Sequence, residues 1–318
     1  MKIAVIGGSG FVGTSLIDML VSTGQYNLLN IDKNVSEKFP DITVIGNVMD
    51  KGTLISQLQG TDIVVLLAAE HRDDVTPVSL YYDVNVEGMR NTLEAMETNN
   101  VKRIIFTSSV AIYGLDKNNP NESFPAEPFN HYGKSKWYAE QLLQEWYKKH
   151  TDWNINIIRP TVIFGEGNRG NVYNLLNQIA NGKFMMIGKG NNQKSMSYIR
   201  NVIAFIKFLI EEKKLGYNIY NYVDKPDFTT NDLVHHTSEV LNKNIPTTHI
   251  PYWLGMLGGG FDILAWISRK KLNISSVRVR KFCAVTQYDS TKAMTSGFLP
   301  PYTMEEGLKN MLNQEFGK

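Results

Sequence analysis

A single cysteine, Cys283, is all the thiol in 318 residues. That excludes an internal disulfide framework and a multi-cysteine metal site, and it fits a reducing, cytoplasmic setting with no metal expected. Charge of one sign is also missing. The 33 lysines and arginines stand against 31 aspartates and glutamates, for a net charge of +2 with the signs interspersed. Nothing in that balance calls for a nucleic-acid partner. Long apolar runs are absent too. The N-terminus "MKIAVIGGSG" offers only a short apolar stretch before its glycines, too brief for a signal peptide. The strongest membrane candidate is "PYWLGMLGGGFDILAWISRKK" at 251–271, which Gly258–Gly260 and Asp262 interrupt. A spanning helix needs about 20 predominantly apolar residues. The segment therefore reads as a packed cap or pocket wall, with an interfacial or partner-binding surface as the alternative. Membrane contact is not expected.

What is present is a globular composition, 42% hydrophobic and 20% charged, on a chain long enough for one large or two unequal domains. Apolar runs at 2–7, 26–32, 42–47, 62–69, 102–109 and 155–164 read as buried strands, with helical stretches such as 11–23 and 83–99 between them. Strands alternating with crossover helices predict an α/β fold, a Rossmann-like doubly wound parallel sheet. Continuous apolar runs predict strands covered on both faces. After about residue 165 the pattern loosens into loops rich in Gly and Asn, "FGEGNRGN" and "IGKGNNQKS", and it ends on the helical "TMEEGLKNMLNQEF". The expected division is a dinucleotide-binding domain at 1–164, with a return segment near 195–225. A smaller C-terminal substrate-binding domain would span 165–318, built on the carboxyl edge of the sheet.

The stretch "GGSGFVG" follows the first strand and opens the first helix. Gly7, Gly10 and Gly13 stand three apart, where glycines permit a tight turn, close approach of backbone N–H groups to a pyrophosphate, and close helix packing. Phe11 and Val12 lie within the same loop. Asp32 ends the second strand, where a carboxylate accepts hydrogen bonds from an adenosine ribose. A carboxylate there repels a 2′-phosphate and favours NAD; the adjacent Lys33 leaves NADP open.

"FTSSVAIYG" (106–114) closes a strand with hydroxyls, and "HYGKSK" (131–136) begins a helical run about 25 residues later. Tyr132 and Lys136, four apart, then share one helix face. Gly133 and Ser135 read as spacers that let this helix approach the cofactor. An ammonium beside a phenol, together with an oxidised nicotinamide, is expected to favour the phenolate and lower the tyrosine's pKa.

With these motifs in order, the chain resembles the extended short-chain dehydrogenase/reductase family, and within it the nucleotide-sugar epimerases, dehydratases and reductases. The resemblance spans nearly the whole chain. It rests on Gly7–Gly13, "YYDVNVEGMRNTLEA", "FTSSVAIYG", Tyr132–Lys136, "RPTVIFG" and "DSTKA…GFLPPYTMEEGL". It implies that Tyr132 is the acid/base, that Lys136 holds the nicotinamide ribose, and that Ser109 hydrogen-bonds the sugar oxygen. It also implies that Asn85 supports the active-site helix beside the cofactor, that Asn47 and Val48 lie near the adenine, and that Ala68 and Ala69 line the cofactor. Thr107 and Ser108 are expected to be structural or cofactor-adjacent. His71 is assigned no catalytic role. On the substrate side the resemblance points to Asn171 and Lys194, and to Arg280 or its alternative Arg278, for the diphosphate. Thr286, small at the family's gate position, suits a UDP-N-acetylhexosamine. Relatives also form homodimers through the helices at 83–99 and 132–149.

Ser and Ser follow the strand-end Thr where dehydratases carry Asp and Glu, and Val110 stands where decarboxylases carry Glu. Dehydration and decarboxylation are therefore not expected. A 4-epimerase acting on a UDP-hexose or UDP-N-acetylhexosamine, of the kind that serves polysaccharide biosynthesis, is favoured. An NAD(P)H-dependent 4-keto reductase of a UDP-4-keto-6-deoxy sugar is the alternative. Scaffold relatives commonly lack the Tyr or Lys that this chain keeps.

Overall fold

The computed structural model describes residues 1–72, 75–212, 215–245, 249–251 and 284–317. Seven parallel strands form the main sheet: β1 (Lys2–Ile6), β2 (Asn27–Asp32), β3 (Thr43–Ile45), β4 (Ile63–Leu66), β5 (Arg103–Thr107), β6 (Asn154–Pro160) and β10 (Gly216–Tyr222). Their order is β10-β6-β5-β4-β1-β2-β3, so the chain winds outward in both directions from β1 and β4, the doubly wound arrangement expected.

Alternation within each strand sends side chains to two separate cores. Ile3, Val5, Ile63, Val65, Ile105 and Ile158 pack beneath α1 (Phe11–Thr23) and α7 (Ile199–Glu211). Ala4, Ile6, Val64, Leu66, Ile104, Phe106, Ile155 and Ile157 pack on the opposite face against α2 (Lys51–Gln57), α4 (Gly88–Thr98) and α5 (His131–Lys149). Both faces are covered, which is why these strands read as unbroken apolar runs. α1 ends on Gly24, whose φ of 64° caps the helix in the left-handed region.

Two local departures from the expected pattern matter for the site. The helix expected over 83–99 begins earlier, as α3 (Ser79–Tyr82), and passes through a π-turn at Asp83–Glu87 before α4. The strand expected over 155–164 breaks at Thr161. β7 (Val162–Phe164) leaves the main sheet and pairs in parallel with β9 (Gln193–Tyr198), and β11 (Asp224–Thr229) pairs antiparallel on the far side of β9. Pro160, which has no N–H to continue the ladder, ends β6.

That second sheet, with α6 (Asn171–Ala180), α8 (Thr230–Leu241) and α10 (Met304–Phe316), stands beyond the carboxyl edge of the main one. Between β9 and β11 the chain runs back through α7 and β10, which closes the main sheet beside β6. The remaining elements are the short pair β8 (Met186–Ile187) and β12 (His249–Ile250), and the single-turn α9 (Thr291–Met294). Among the described residues, no helix is long and apolar enough to cross a membrane. The 251–271 segment, whose role was read from its sequence alone, lies outside the described residues, apart from Pro251.

Candidate active site

A cleft of about 1090 Å³ opens at the carboxyl ends of β1, β2, β4, β5 and β6. Its floor begins with the turn from β1 into α1. Gly7 has a φ of +88°, and a Cβ there would fall 2.4 Å from the Ala68 nitrogen; a Cβ on Gly13 would fall 2.4 Å from the Gly8 Cα. Packing alone therefore requires glycine at both positions. Gly10 is different, because the nearest protein atom to a Cβ there is the Gly7 oxygen at 3.6 Å. Nothing among the described residues demands a glycine at that point. It caps the N-terminus of α1, whose first turn carries no acidic side chain. Backbone N–H groups at such a terminus favour an anion.

Asp32 braces this loop. Its Oδ2 accepts from the Ser9 N–H at 3.0 Å and its Oδ1 from the Asn34 N–H at 2.9 Å. Ser9 Oγ also accepts from Asn30 Nδ2 at 3.0 Å. Ser9 and Asn30 carried no signal in the glycine spacing, although a polar Asn30 inside an apolar run was visible. Phe11, Val12, Asp32, Lys33, Asn47, Val48, Ala68 and Ala69 all line the cleft.

At the end of β5, Ser109 caps a short 3-10 turn (Val110–Tyr113), and its Oγ accepts from the Ala111 N–H at 3.1 Å. α5 starts directly opposite, capped by Asn130, whose Oδ1 accepts from the Gly133 N–H at 2.8 Å. A Cβ on Gly133 would fall 2.5 Å from the Ala111 carbonyl oxygen. The glycine thus lets α5 close onto the serine turn. Ser109, Tyr132 and Lys136 meet on one wall of the cleft.

Lys136 is only 2% exposed. Its Nζ donates to the Thr107 carbonyl at 2.8 Å and sits 4.7 Å over the Phe106 ring. Burial pushes its ammonium down to about 7, against the opposing pull of Glu140. The Tyr132 phenol is pushed up by burial, and hydrogen bonding with Ser109 pulls it part of the way back. This reverses the direction expected from the sequence. In the protein itself desolvation governs the tyrosine.

Asn85 does not line the cleft but supports it from behind. It is 4% exposed, its Oδ1 accepts from the Glu70 N–H at 2.9 Å, and its Nδ2 donates to the Glu70 carbonyl at 3.0 Å. Glu70, His71 and Arg72 form part of the cleft wall, with Arg72 paired to Glu70. This pairing holds the Glu70 carboxyl down at about 2.

On the far side, Asn171 begins α6 and lines the cleft together with Arg169, Ser195, Thr286 and Tyr288. Thr286 is held by backbone bonds to Gln193 and Ser195. Lys194 is not brought to the cleft: its Nζ donates to the Ala284 carbonyl. Arg280 and Arg278 lie outside the described residues. Among the described residues, no group of three or more His, Cys, Asp or Glu could hold a metal ion.

Two features fit a dinucleotide in this cleft. Gly10 leaves free space that the described residues do not use, and the buried Thr107 Oγ1, on the cleft wall, has no partner among them. Buried hydroxyls are ordinarily satisfied.

The sequence profile of the NAD dependent epimerase/dehydratase family matches residues 3–222. The chain belongs to this family. It is 59% identical, over 99% of its length and 95% of the relative's, to the N-acetyl-alpha-D-glucosaminyl-diphospho-ditrans,octacis-undecaprenol 4-epimerase of Escherichia coli O157:H7. It is 28% identical to the UDP-glucose 4-epimerase of Vibrio cholerae, covering 97% of this chain and 93% of that one. Among solved structures, the Bacillus cereus UDP-glucuronic acid 4-epimerase in complex with NAD superposes with a TM-score of 0.78 at 20% identity, covering 99% and 98% of the two chains. The expected fold, the family, its NAD cofactor and the 4-epimerase reading hold.

Proposed function

We propose that this protein inverts C4 of an N-acetylhexosamine carried on a polyprenyl diphosphate. The 59% identity across almost the whole of both chains to an enzyme named for a lipid-linked substrate carries this reading. The UDP-sugar expected from the sequence is the second reading, favoured by the 28% identity to a UDP-glucose 4-epimerase. Both substrates present a sugar on a diphosphate.

The loop at Gly7, Gly10 and Gly13 would hold the dinucleotide's pyrophosphate, and Asp32 its adenosine ribose, with Asn47, Val48, Ala68 and Ala69 along its length. When bound, NAD supplies reversible hydride acceptance at C4. Tyr132 takes the proton from the C4 hydroxyl and later returns it, while Ser109 hydrogen-bonds the same oxygen and stabilises its developing charge. Lys136, from the same helix face, favours the phenolate. Asn171 at the start of α6 receives the diphosphate, and Thr286 leaves room for the acetamido group. Residues 165–318, apart from the returning α7 and β10, then act as the substrate-holding part. A homodimer through α4 and α5, and a cytoplasmic protein meeting its substrate at a membrane surface, complete the proposal.

The test is incubation of purified protein with undecaprenyl-diphosphate-linked N-acetylglucosamine and, separately, with UDP-N-acetylglucosamine, followed by sugar analysis. Formation of N-acetylgalactosamine on the lipid carrier, well above that on UDP, is expected. Better turnover of the UDP sugar would move the reading to the nucleotide substrate. Stoichiometric consumption of NAD(P)H with a 4-keto sugar would favour the reductase instead.

A further inference from the structure

One helical turn beyond Lys136, α5 carries a buried carboxylate that the chemistry above does not use. Glu140 and Arg159 form a buried ion pair, with side chains 1% and 3% exposed. The guanidinium forks onto the carboxylate, Nη2 to Oε2 at 2.6 Å and Nε to Oε1 at 3.0 Å. Arg159 reaches further. Its Nη1 donates to the Tyr113 hydroxyl at 2.6 Å and to the Glu122 carbonyl at 3.2 Å. Tyr113 in turn donates to Asn221 Oδ1 at 2.8 Å, and Asn221 Nδ2 spans the carbonyls of Pro120 and Asp289.

The pair thus joins four walls of the cleft. Glu140 lies on the helix of Tyr132 and Lys136, Tyr113 ends the turn that begins at Ser109, Arg159 stands on β6, and Asn221 on β10 holds the segment after Thr286. A buried ion pair is weak as a source of stability, because desolvating both charges offsets much of their attraction. A positional and electrostatic task explains its placement better.

We infer that Glu140, held by Arg159, is a positioning residue that favours the ammonium form of Lys136 and fixes the Ser109 turn against α5. The inference rests on the epimerase reading for its functional meaning, but its physical content concerns Lys136 itself. One helical turn along α5, Glu140 is the carboxylate whose pull opposes the effect of burial on that lysine. The π-turn packed against α5 carries Asp83 and Glu87, the latter exposed and paired with Arg90, and α4 carries Glu94, paired with Lys51. Tyr132 on α5, Tyr113 on the serine turn and Tyr217 on β10 are all phenols that burial pushes upward and keeps neutral. Glu70 is engaged by Arg72, and Arg159 is itself a cation spent on Glu140. From β5, Lys136 receives the Thr107 carbonyl and the Phe106 ring, neither of them ionisable.

The experiment follows the 13Cε resonance of Lys136 by NMR across pH 5 to 10, assigned with Lys136→Met, which needs no substrate. It compares the wild type with the charge-free pair Glu140→Gln/Arg159→Met and with Arg159→Lys. In wild-type protein the inflection is expected near the value of about 7 set by burial. In the charge-free pair it should fall by about one pH unit, and the alkaline limb of kcat/KM should move with it. Arg159→Lys, which keeps both charges, should leave it in place. An unmoved inflection in folded charge-free protein overturns the inference, whatever happens to kcat. Should that pair fail to fold, Glu140→Asp draws the charge back by one methylene: a lowered inflection supports the inference and an unmoved one overturns it. Absence of turnover in the wild type would sink the epimerase reading while leaving the titration intact.

Discussion

Asn85 Nδ2 donates to Ser135 Oγ at 2.8 Å, which ties the π-turn at Asp83–Glu87 to the active-site helix one residue ahead of Lys136. The same side chain satisfies both backbone groups of Glu70, so one buried amide fixes the loop after β4 and the helix together. Asn85→Leu would strand two buried backbone groups. A loss of about 2–4 kcal/mol is expected from such orphaned groups, read as a lower urea midpoint. The drop in kcat should exceed any change in NAD affinity. Unchanged stability would show that the loop finds other partners.

Tyr132→Phe removes the hydroxyl but keeps the ring. General acid–base catalysis contributes about 10²–10⁴-fold, so kcat for sugar inversion should fall by that order, while NAD still raises the melting temperature as it does in the wild type. Residual activity within a few-fold of wild type would remove Tyr132 from the acid/base role.

The three glycines of the first loop should separate by experiment. Gly7→Ala meets the Ala68 nitrogen and a positive φ, so the protein is expected to be destabilised with or without cofactor. Gly10→Ala meets nothing closer than 3.6 Å. It should fold with wild-type stability yet bind NAD at least tenfold more weakly by calorimetry. Equal effects of the two substitutions would mean that Gly10 also serves packing.

Asp224 gives a pH signature away from the cleft. Buried, with no cation paired to it among the described residues, it accepts from the Tyr198 N–H, Asn201 and Tyr222, and burial raises it from 3.8 to about 6. Because the folded value lies above the unfolded one, its contribution is fully present below about pH 4 and is lost as pH rises through 6. The difference is roughly 3 kcal/mol at most. Urea midpoints of the wild type and Asp224→Asn at pH 4, 5, 6 and 7 isolate it: the wild type should lose ground to the variant between pH 4 and 6. A flat difference would refute the shift.

The strands and the glycine loop were legible because their signals are local. An apolar run buried on both faces, or three glycines after a strand, needs no knowledge of distant residues. The Tyr132 and Lys136 spacing placed both on one helix face in the same way. What escaped was whatever depends on depth. Spacing shows an ammonium near a phenol, but not that burial would push the one down and the other up. Nor could it show that Lys194 would be taken up by Ala284, or that Asp32 would brace Ser9. The Glu140, Arg159, Tyr113 and Asn221 chain joins positions spread over a third of the sequence; Tyr113 and Arg159 stand in the quoted motifs, but nothing in those motifs points to Glu140 or Asn221 as their partners. The break at Thr161 was hidden because Val162–Phe164 is as apolar as the strand before it.

The placement of β10 beside β6 bears on how the protein is made. Every residue of β6 is buried, yet its outer neighbour is not synthesised until residue 222. During translation the sheet must wait, with an apolar edge open, while more than fifty further residues leave the ribosome. The substrate side of the cleft, β7, α6 and β9, is made in that interval. The cofactor half therefore cannot be completed before much of the substrate half exists, and a nascent chain halted after β6 would carry the aggregation hazard of an unpaired strand.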